Sequence, residues 1–207
     1  MSTTLHYFGS YGRAEATRMI LHSQGVAFTD ANFDGEGFQA FLQTGKSEFG
    51  QVPCLEIDGK SLVESRAIER YLLAKAGVHT ATPYEGYLND STLSFLDDVR
   101  GIIAKFVYVD QDMEGLMKWF ASDLPYYLRL LNARVNEHHL FTGSSAQHAD
   151  WAVFEFIWDG FLRAGKVAMG RPALEAHAPK LIAFAENFKN SNQNLSNYLN
   201  ARPEKDM

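Results

Sequence analysis

At 207 residues, 46% hydrophobic and 21% charged, with a formal net charge of −6, the chain can bury one large core or two small ones. No concentrated basic stretch offsets that charge, which removes the electrostatic case for nucleic acid or an anionic membrane. No uninterrupted apolar stretch is long enough to span a bilayer, and Met1-Ser2-Thr3-Thr4-Leu5-His6 lacks the basic start and apolar run of a secretory signal, so a cytoplasmic location is expected.

In chain order, Thr4 to Phe8 alternate in strand fashion. A glycine-containing turn then leads to a helical segment from about Ala14 to Ser23, which Gly25 ends. Val26 to Phe33 reads as a second strand, and a loose region rich in Gly and Phe fills 34 to 50. Next come a strand opening at Pro53, a tight turn at Asp58-Gly59, another strand, and a helix opening on Glu64-Ser65. Cys54, the single cysteine, has no partner for an internal disulfide. Its place between Pro53 and Leu55 in a buried strand reads as a small core residue rather than a nucleophile. Past Gly77 the pattern fades, and Thr80, Thr82 and Pro83 read as a linker. Helical spacing then takes over in Leu96, Val99, Ile103, Phe106 and Val109, in Leu124, Leu128, Leu131 and Val135, and in Trp151, Phe154, Trp158 and Leu162. The expected domains are 1–77, a linker at 78–86, and an all-helical domain over 87–207.

The stretch from Gln51 to Tyr71 carries most of the chemical information. A proline at a strand start removes a backbone donor where a ladder stops, leaving an exposed peptide edge beside Val52-Pro53. The first-turn N–H groups of a helix starting at Ser65 have no partners inside the helix and suit a carboxylate, while Glu64 offers a fixed charge to an ammonium. A ligand with a peptide bond, a free carboxylate and a free amine answers all three, and glutathione is such a molecule.

Gln51-Val52-Pro53 and Glu64-Ser65-Arg66-Ala67-Ile68, at this spacing, resemble the glutathione-binding half of the thioredoxin-like domain in cytosolic glutathione transferases. The resemblance covers nearly the whole chain. It implies an α/β thioredoxin-like N-terminal domain, an all-α C-terminal domain, glutathione as co-substrate with no metal, and a homodimer. The match is to tyrosine-type classes, sigma-like with mu and pi features. In those classes a hydroxyl at the end of the first strand, before a Gly-Arg pair, stabilises the glutathione thiolate. Here Tyr7-Phe8 precedes Gly12-Arg13, so Tyr7 is the implied catalytic residue and Arg13 a supporting positive charge. Gly9-Ser10-Tyr11 replaces the usual Pro-Arg turn. Ser10 competes for the role of the serine used in other classes, although Tyr7 fits better.

The resemblance further implies that Phe8, Phe38, Phe41, Lys46, Gln51, Val52, Pro53, Glu64 and Ser65 form the glutathione site. Phe38, Phe41 and Lys46 stand in a loop where similar proteins place a tryptophan and a lysine. Asp98, in Asp97-Asp98-Val99-Arg100, corresponds to an aspartate sent across the dimer to the γ-glutamyl amine. Phe8, Gly101, Ala104, Tyr108 and, from the tail, Leu199 are the implied apolar pocket for an electrophile; packing against the first domain is the competing reading for Gly101, Ala104 and Tyr108. Related chains cap the helix near Trp151 with a Ser/Thr-x-x-Asp box, whereas Gln147, three residues before Asp150, is a poor N-cap. The expected activity is conjugation of the glutathione thiolate to hydrophobic electrophiles. A glutathione-dependent isomerase of the prostaglandin D synthase kind, or a non-catalytic binder or crystallin-like structural protein on the same fold, are the alternatives.

Overall fold

The structure is a computed structural model and describes residues 2–205. Strand β1 (Thr4–Phe8) follows the alternation in the sequence, and a 3-10 turn at Gly12–Ala14 feeds helix α1 (Glu15–Ser23). The end of α1 is a Schellman motif. Gly25 takes φ +66, its N–H donates to the His22 carbonyl, and the Val26 N–H donates to the Leu21 carbonyl. That cap consumes residues assigned above to the second strand, so β2 is Thr29–Phe33 and not Val26 to Phe33.

The stretch 34–50 is not the loose region expected; it opens with helix α2 (Gly35–Leu42). Two glycines disfavour a helix there. The Asp34 carboxylate outweighs them by accepting the Gly37 N–H at 2.8 Å, while Phe38, Phe41 and Leu42 share one apolar face.

Strands β3 (Cys54–Ile57) and β4 (Lys60–Val63) form a hairpin closed by Asp58 at φ +53 and Gly59 at φ +73, the left-handed pair that a two-residue turn needs. Helix α3 (Ser65–Lys75) follows at once and ends at Gly77, φ +81, in a second Schellman motif with Val78 donating to Leu73. The sheet has the order β2-β1-β3-β4, with β1 parallel to β2 and antiparallel to β3. Leu5, Cys54, Leu55, Met19, Ile20 and Ile68 are fully buried between sheet and helices, which makes Cys54 the core residue its position suggests. Burial pushes its thiol up to about 11, far from the thiolate a nucleophile needs.

The chain forms two compact units, Met1–Val78 with Asn190–Met207, and His79–Lys189. The second is helical. Helix α4 (Pro83–Ala104) begins inside the stretch assigned to the linker: Thr82 accepts the Glu85 N–H at 3.1 Å and Glu85 accepts the Thr82 N–H, a capping box reinforced by Pro83 in the first turn. After Ala104 the winding widens to a π-helical segment, Lys105–Asp110. Then come α5 (Met113–Ser122), α6 (Leu124–Arg134) and α7 (His148–Ile157), a second π segment at Trp158–Leu162, α8 (Val167–His177) and α9 (Pro179–Asn190). Helix α7 is the buried axis of this unit, with Phe154 stacked on Phe188 at 4.8 Å and Trp151 edge-on to the same ring.

The poor cap at Gln147 is compensated by Asp150 itself. Its carboxylate accepts the N–H of Gln147 and of Phe141, each at 2.8 Å. Helix α10 (Gln193–Ala201) returns to the first unit and packs along α1, with Asn192 capping its start and donating to the Ser23 carbonyl.

Candidate active site

The register of the sheet brings the thiol-site candidates together. His6 faces Cys54 and Cys54 faces Val63, so one residue further along each strand Tyr7, Pro53 and Glu64 form a row across three adjacent strands. Asn32 extends the row on β2, opposite Tyr7. Side chains far apart in sequence thus share one edge, because the β1–β3 and β3–β4 pairing stops there.

At that edge the Val52-Pro53 peptide is cis, and Glu64 sits at φ +67 and ψ +108, a left-handed backbone conformation that non-glycine residues adopt at a cost. The strain bends the chain abruptly from β4 into α3, so the helix N-terminus opens at the row's end. Ser65 is buried in that first turn, while Glu64 and the Gln51 side chain are exposed. Gln51 is fixed through its backbone: its N–H donates to Ser47 Oγ at 2.9 Å and its carbonyl accepts the Ser47 hydroxyl at 2.6 Å.

Tyr7 Oη accepts the Arg13 backbone N–H at 3.0 Å. Gly12 makes that approach possible, because it holds φ +44 and a Cβ on it would fall 2.5 Å from Tyr7 Oη. The Arg13 side chain is exposed, and Arg13's visible contribution is this amide. Behind the turn lies Arg18, 1% exposed, which was not singled out in the sequence. Its Nη1 donates to the carbonyls of Ser10 and Tyr11 at 3.0 and 3.1 Å and to Glu15 at 3.0 Å, and its Nε lies 3.1 Å from both Asp30 oxygens. Burial works against its charge, but the Glu15 and Asp30 carboxylates outweigh that and leave its pKa raised. Ser10 contributes its carbonyl to this grip. The signal for Arg18 was one helical turn: Glu15 and Arg18, three apart, form a buried ion pair.

The aromatic candidates form a cluster. Phe8 meets Phe33 and Phe38 at 5.4 and 5.3 Å, while Phe41, 7% exposed, stacks on His6 at 4.6 Å and on Phe33 at 5.5 Å. Lys46 is engaged with Glu56, Nζ to Oε1 at 2.8 Å, and Glu56 also meets His6 Nε2 at 2.6 Å. The Lys46 hydrogen bond, more than that of His6, holds the Glu56 carboxyl below its ordinary range.

The candidates of the helical unit are arranged separately. Asp98 is exposed on α4; Gly101 lies on its last turn, where a side chain would meet open space. Tyr108, 75% exposed, falls in the π-helical segment, whose wider winding carries it off the face that the three- and four-residue spacing of Gly101, Ala104 and Tyr108 would give on an α-helix. Leu199 belongs instead to the first unit, 9% exposed on α10, the helix that packs along α1.

Among the described residues no helix is long and apolar enough to cross a membrane, and no group of three or more His, Cys, Asp or Glu is placed to hold a metal ion. Residues 3–74 match the glutathione S-transferase N-terminal domain. Over 204 residues the chain is 30% identical to a glutathione S-transferase of Manduca sexta, with 97% of each chain covered. It is 31% identical to a hematopoietic prostaglandin D synthase of Gallus gallus over 75% of each. Among solved structures, the Pi-class glutathione S-transferase of Onchocerca volvulus superposes with a TM-score of 0.82 at 25% identity, covering 98% of this chain and 94% of that one. Alike over 97% of its length to such an enzyme, and carrying a mixed four-stranded sheet that ends in a tyrosine, a cis-proline and a strained glutamate, the chain belongs to the glutathione S-transferase family.

Proposed function

We propose that the row Tyr7, Pro53 and Glu64 is the glutathione subsite and that Tyr7 stabilises the thiolate. The observation that carries this reading is the Arg13 N–H on Tyr7 Oη at 3.0 Å. An accepted N–H polarises the hydroxyl and strengthens donation by its own proton toward a sulfur in front of it. Lowering a thiol pKa from about 8.5 to about 6.5 takes ~2.7 kcal/mol of preferential anion stabilisation, an effect within reach of a short charge-assisted hydrogen bond.

In this mechanism the peptide edge at Val52-Pro53 pairs with the cysteinyl backbone of glutathione. The α3 N-terminus at Ser65 receives its γ-glutamyl carboxylate, and Glu64, with Asp98 of a second copy in a homodimer, receives the amine. Gln51 lies beside them. Phe8 borders the sulfur, with Phe38 and Phe41 behind it. Lys46, spanning to Glu56, holds the segment that faces the glycine end. The thiolate attacks the electrophilic carbon of a hydrophobic substrate that meets the sulfur beside Phe8. The new C–S bond takes the sulfur's electron pair as the leaving group departs with its own. The subsite is sigma-like with mu and pi features, and the enzyme works in the cytoplasm.

Tyr7→Phe tests the assignment. Turnover of a chloronitroaromatic should fall by about 10²-fold, the scale of one well-placed stabilising donor, while glutathione affinity stays within a few-fold. Equal turnover in the variant would sink it. A second reading, glutathione-dependent isomerisation, is favoured by the 31% identity to a relative named as a prostaglandin D synthase. It shares the thiol subsite, and an endoperoxide substrate distinguishes it from conjugation.

A further inference from the structure

The turn between Tyr7 and Gly12-Arg13 lacks the proline that would stiffen it, and a side chain at Gly9 would meet open space. Yet this turn must hold the Arg13 amide on Tyr7 Oη. What grips it is the other end of the chain. Tyr11 donates its hydroxyl to the Pro203 carbonyl at 2.8 Å, and the Arg202 guanidinium lies 4.3 Å above the Tyr11 ring. Arg202 also pairs with Glu15, which is wholly buried, and Tyr198 donates to the same Glu15 oxygen at 2.7 Å. The other Glu15 oxygen holds Arg18, and Arg18 holds the Ser10 and Tyr11 carbonyls. Lys205 meets Asp30, the second carboxylate on Arg18, at 3.2 Å.

The contacts therefore run without a break from Tyr198, Arg202 and Lys205 through Glu15 and Asp30 to Arg18, and thence to the backbone that carries the Arg13 amide. Burial and Glu15 both push the Tyr198 hydroxyl well up from its ordinary range, so it stays a donor. A tail that merely covered α1 would need apolar contacts, which Leu195 and Leu199 supply; these polar contacts instead converge on one turn.

We infer that the C-terminal segment Tyr198–Lys205 is a strap that positions Tyr7, with Arg202 as its principal positioning residue, acting through Glu15 and Tyr11 rather than by touching substrate. The strap rests on the reading of Tyr7 as the thiolate-stabilising group. It makes the end of the chain part of the thiol chemistry of the N-terminal domain.

The test compares Arg202→Leu, Arg202→Lys and Tyr11→Phe with the unaltered enzyme and with Tyr7→Phe. It reads the pH at which bound glutathione ionises, from its thiolate absorbance, together with kcat and KM for a chloronitroaromatic. Loosening the turn by a fraction of an ångström in Arg202→Leu should lower kcat about tenfold and shift the thiol ionisation upward by about one pH unit, with KM for glutathione nearly unchanged. Arg202→Lys, which keeps the charge on Glu15, should recover part of both. Tyr11→Phe deletes one hydroxyl from the strap and should give a smaller shift in the same direction, so it decides the matter if Arg202→Leu fails to fold. A lowered melting temperature with unshifted thiol ionisation in the folded variants overturns the strap and leaves only a structural tail. Unaltered turnover in Tyr7→Phe would instead overturn the reading beneath it.

Discussion

Gly12 shows how one missing Cβ sets up a close contact. It sits at φ +44 with the Tyr7 ring and hydroxyl where a side chain would go. In Gly12→Ala the clash at 2.5 Å must be relieved by moving Tyr7 or the turn, and the left-handed backbone is strained as well, for a stability cost of ~1–3 kcal/mol. Turnover should fall by at least about tenfold, more than glutathione affinity does. Steady-state kinetics with thermal unfolding on the same samples checks both, and unchanged turnover would contradict the arrangement. The Gly-Arg pair was legible in the sequence as a motif, but its physical content was not. The sequence suggested that the charge of Arg13 matters, whereas the contact made to Tyr7 is the backbone N–H. A main-chain donor has no residue code, so no single sequence displays it.

At the scale of elements, Asp150 carries the start of α7. Burial, outweighing the two amides and the Thr142 hydroxyl that favour the charge, raises its pKa from an ordinary 3.8 to about 6. The folded state therefore binds the proton more tightly than the unfolded chain. The stability due to this group is greatest below about pH 4 and falls as pH rises from about 4 to about 6. Asp150→Ala should abolish that slope. It also leaves the buried N–H groups of Phe141 and Gln147 without this acceptor, at ~1–3 kcal/mol each. Denaturant unfolding across pH 4 to 7 measures both effects; an Asp150→Ala curve parallel to the parent's would count against the assignment. The sequence announced a defective cap at Gln147, and its repair by Asp150 needed the Phe141 loop to fold over it. The helix α2 was illegible for a related reason. Gly35 and Gly37 suggest a loop locally, and only packing of Phe38 and Phe41 against Phe33 and Phe8 reverses that preference.

For the whole molecule, the N-terminal α/β unit includes the C-terminal segment Asn190–Met207. Contiguous reading of hydrophobic period assigns the tail to the helical domain, because periodicity reports that a segment is helical and not which face it seeks. Leu195 and Leu199, 0% and 9% exposed, bury against α1's side of the sheet domain. Each buried leucine is worth ~1.5–3 kcal/mol. A chain ending at Lys189 should therefore melt on the order of 10 °C lower or fail to fold. A midpoint within a degree or two of the parent would show that the tail is dispensable. By contrast, the β-α-β, β-β-α order was readable directly, since strands, turns and caps there follow local rules.

The Asp58-Gly59 turn stands at the far end of the β3–β4 hairpin from the Tyr7 row, yet it works as the gauge for the row. With two turn residues, Cys54 pairs with Val63, and Pro53 and Glu64 come level. Asp58 is tied in turn to Tyr71 and Lys75 near the C-terminus of α3, the helix whose other end opens beside Glu64. Hairpin and helix thus form a closed triangle, braced at the corner remote from the Tyr7 row. A single residue added at that corner would exchange inward and outward faces along β4 and carry Glu64 out of line, without altering any group of the proposed glutathione subsite.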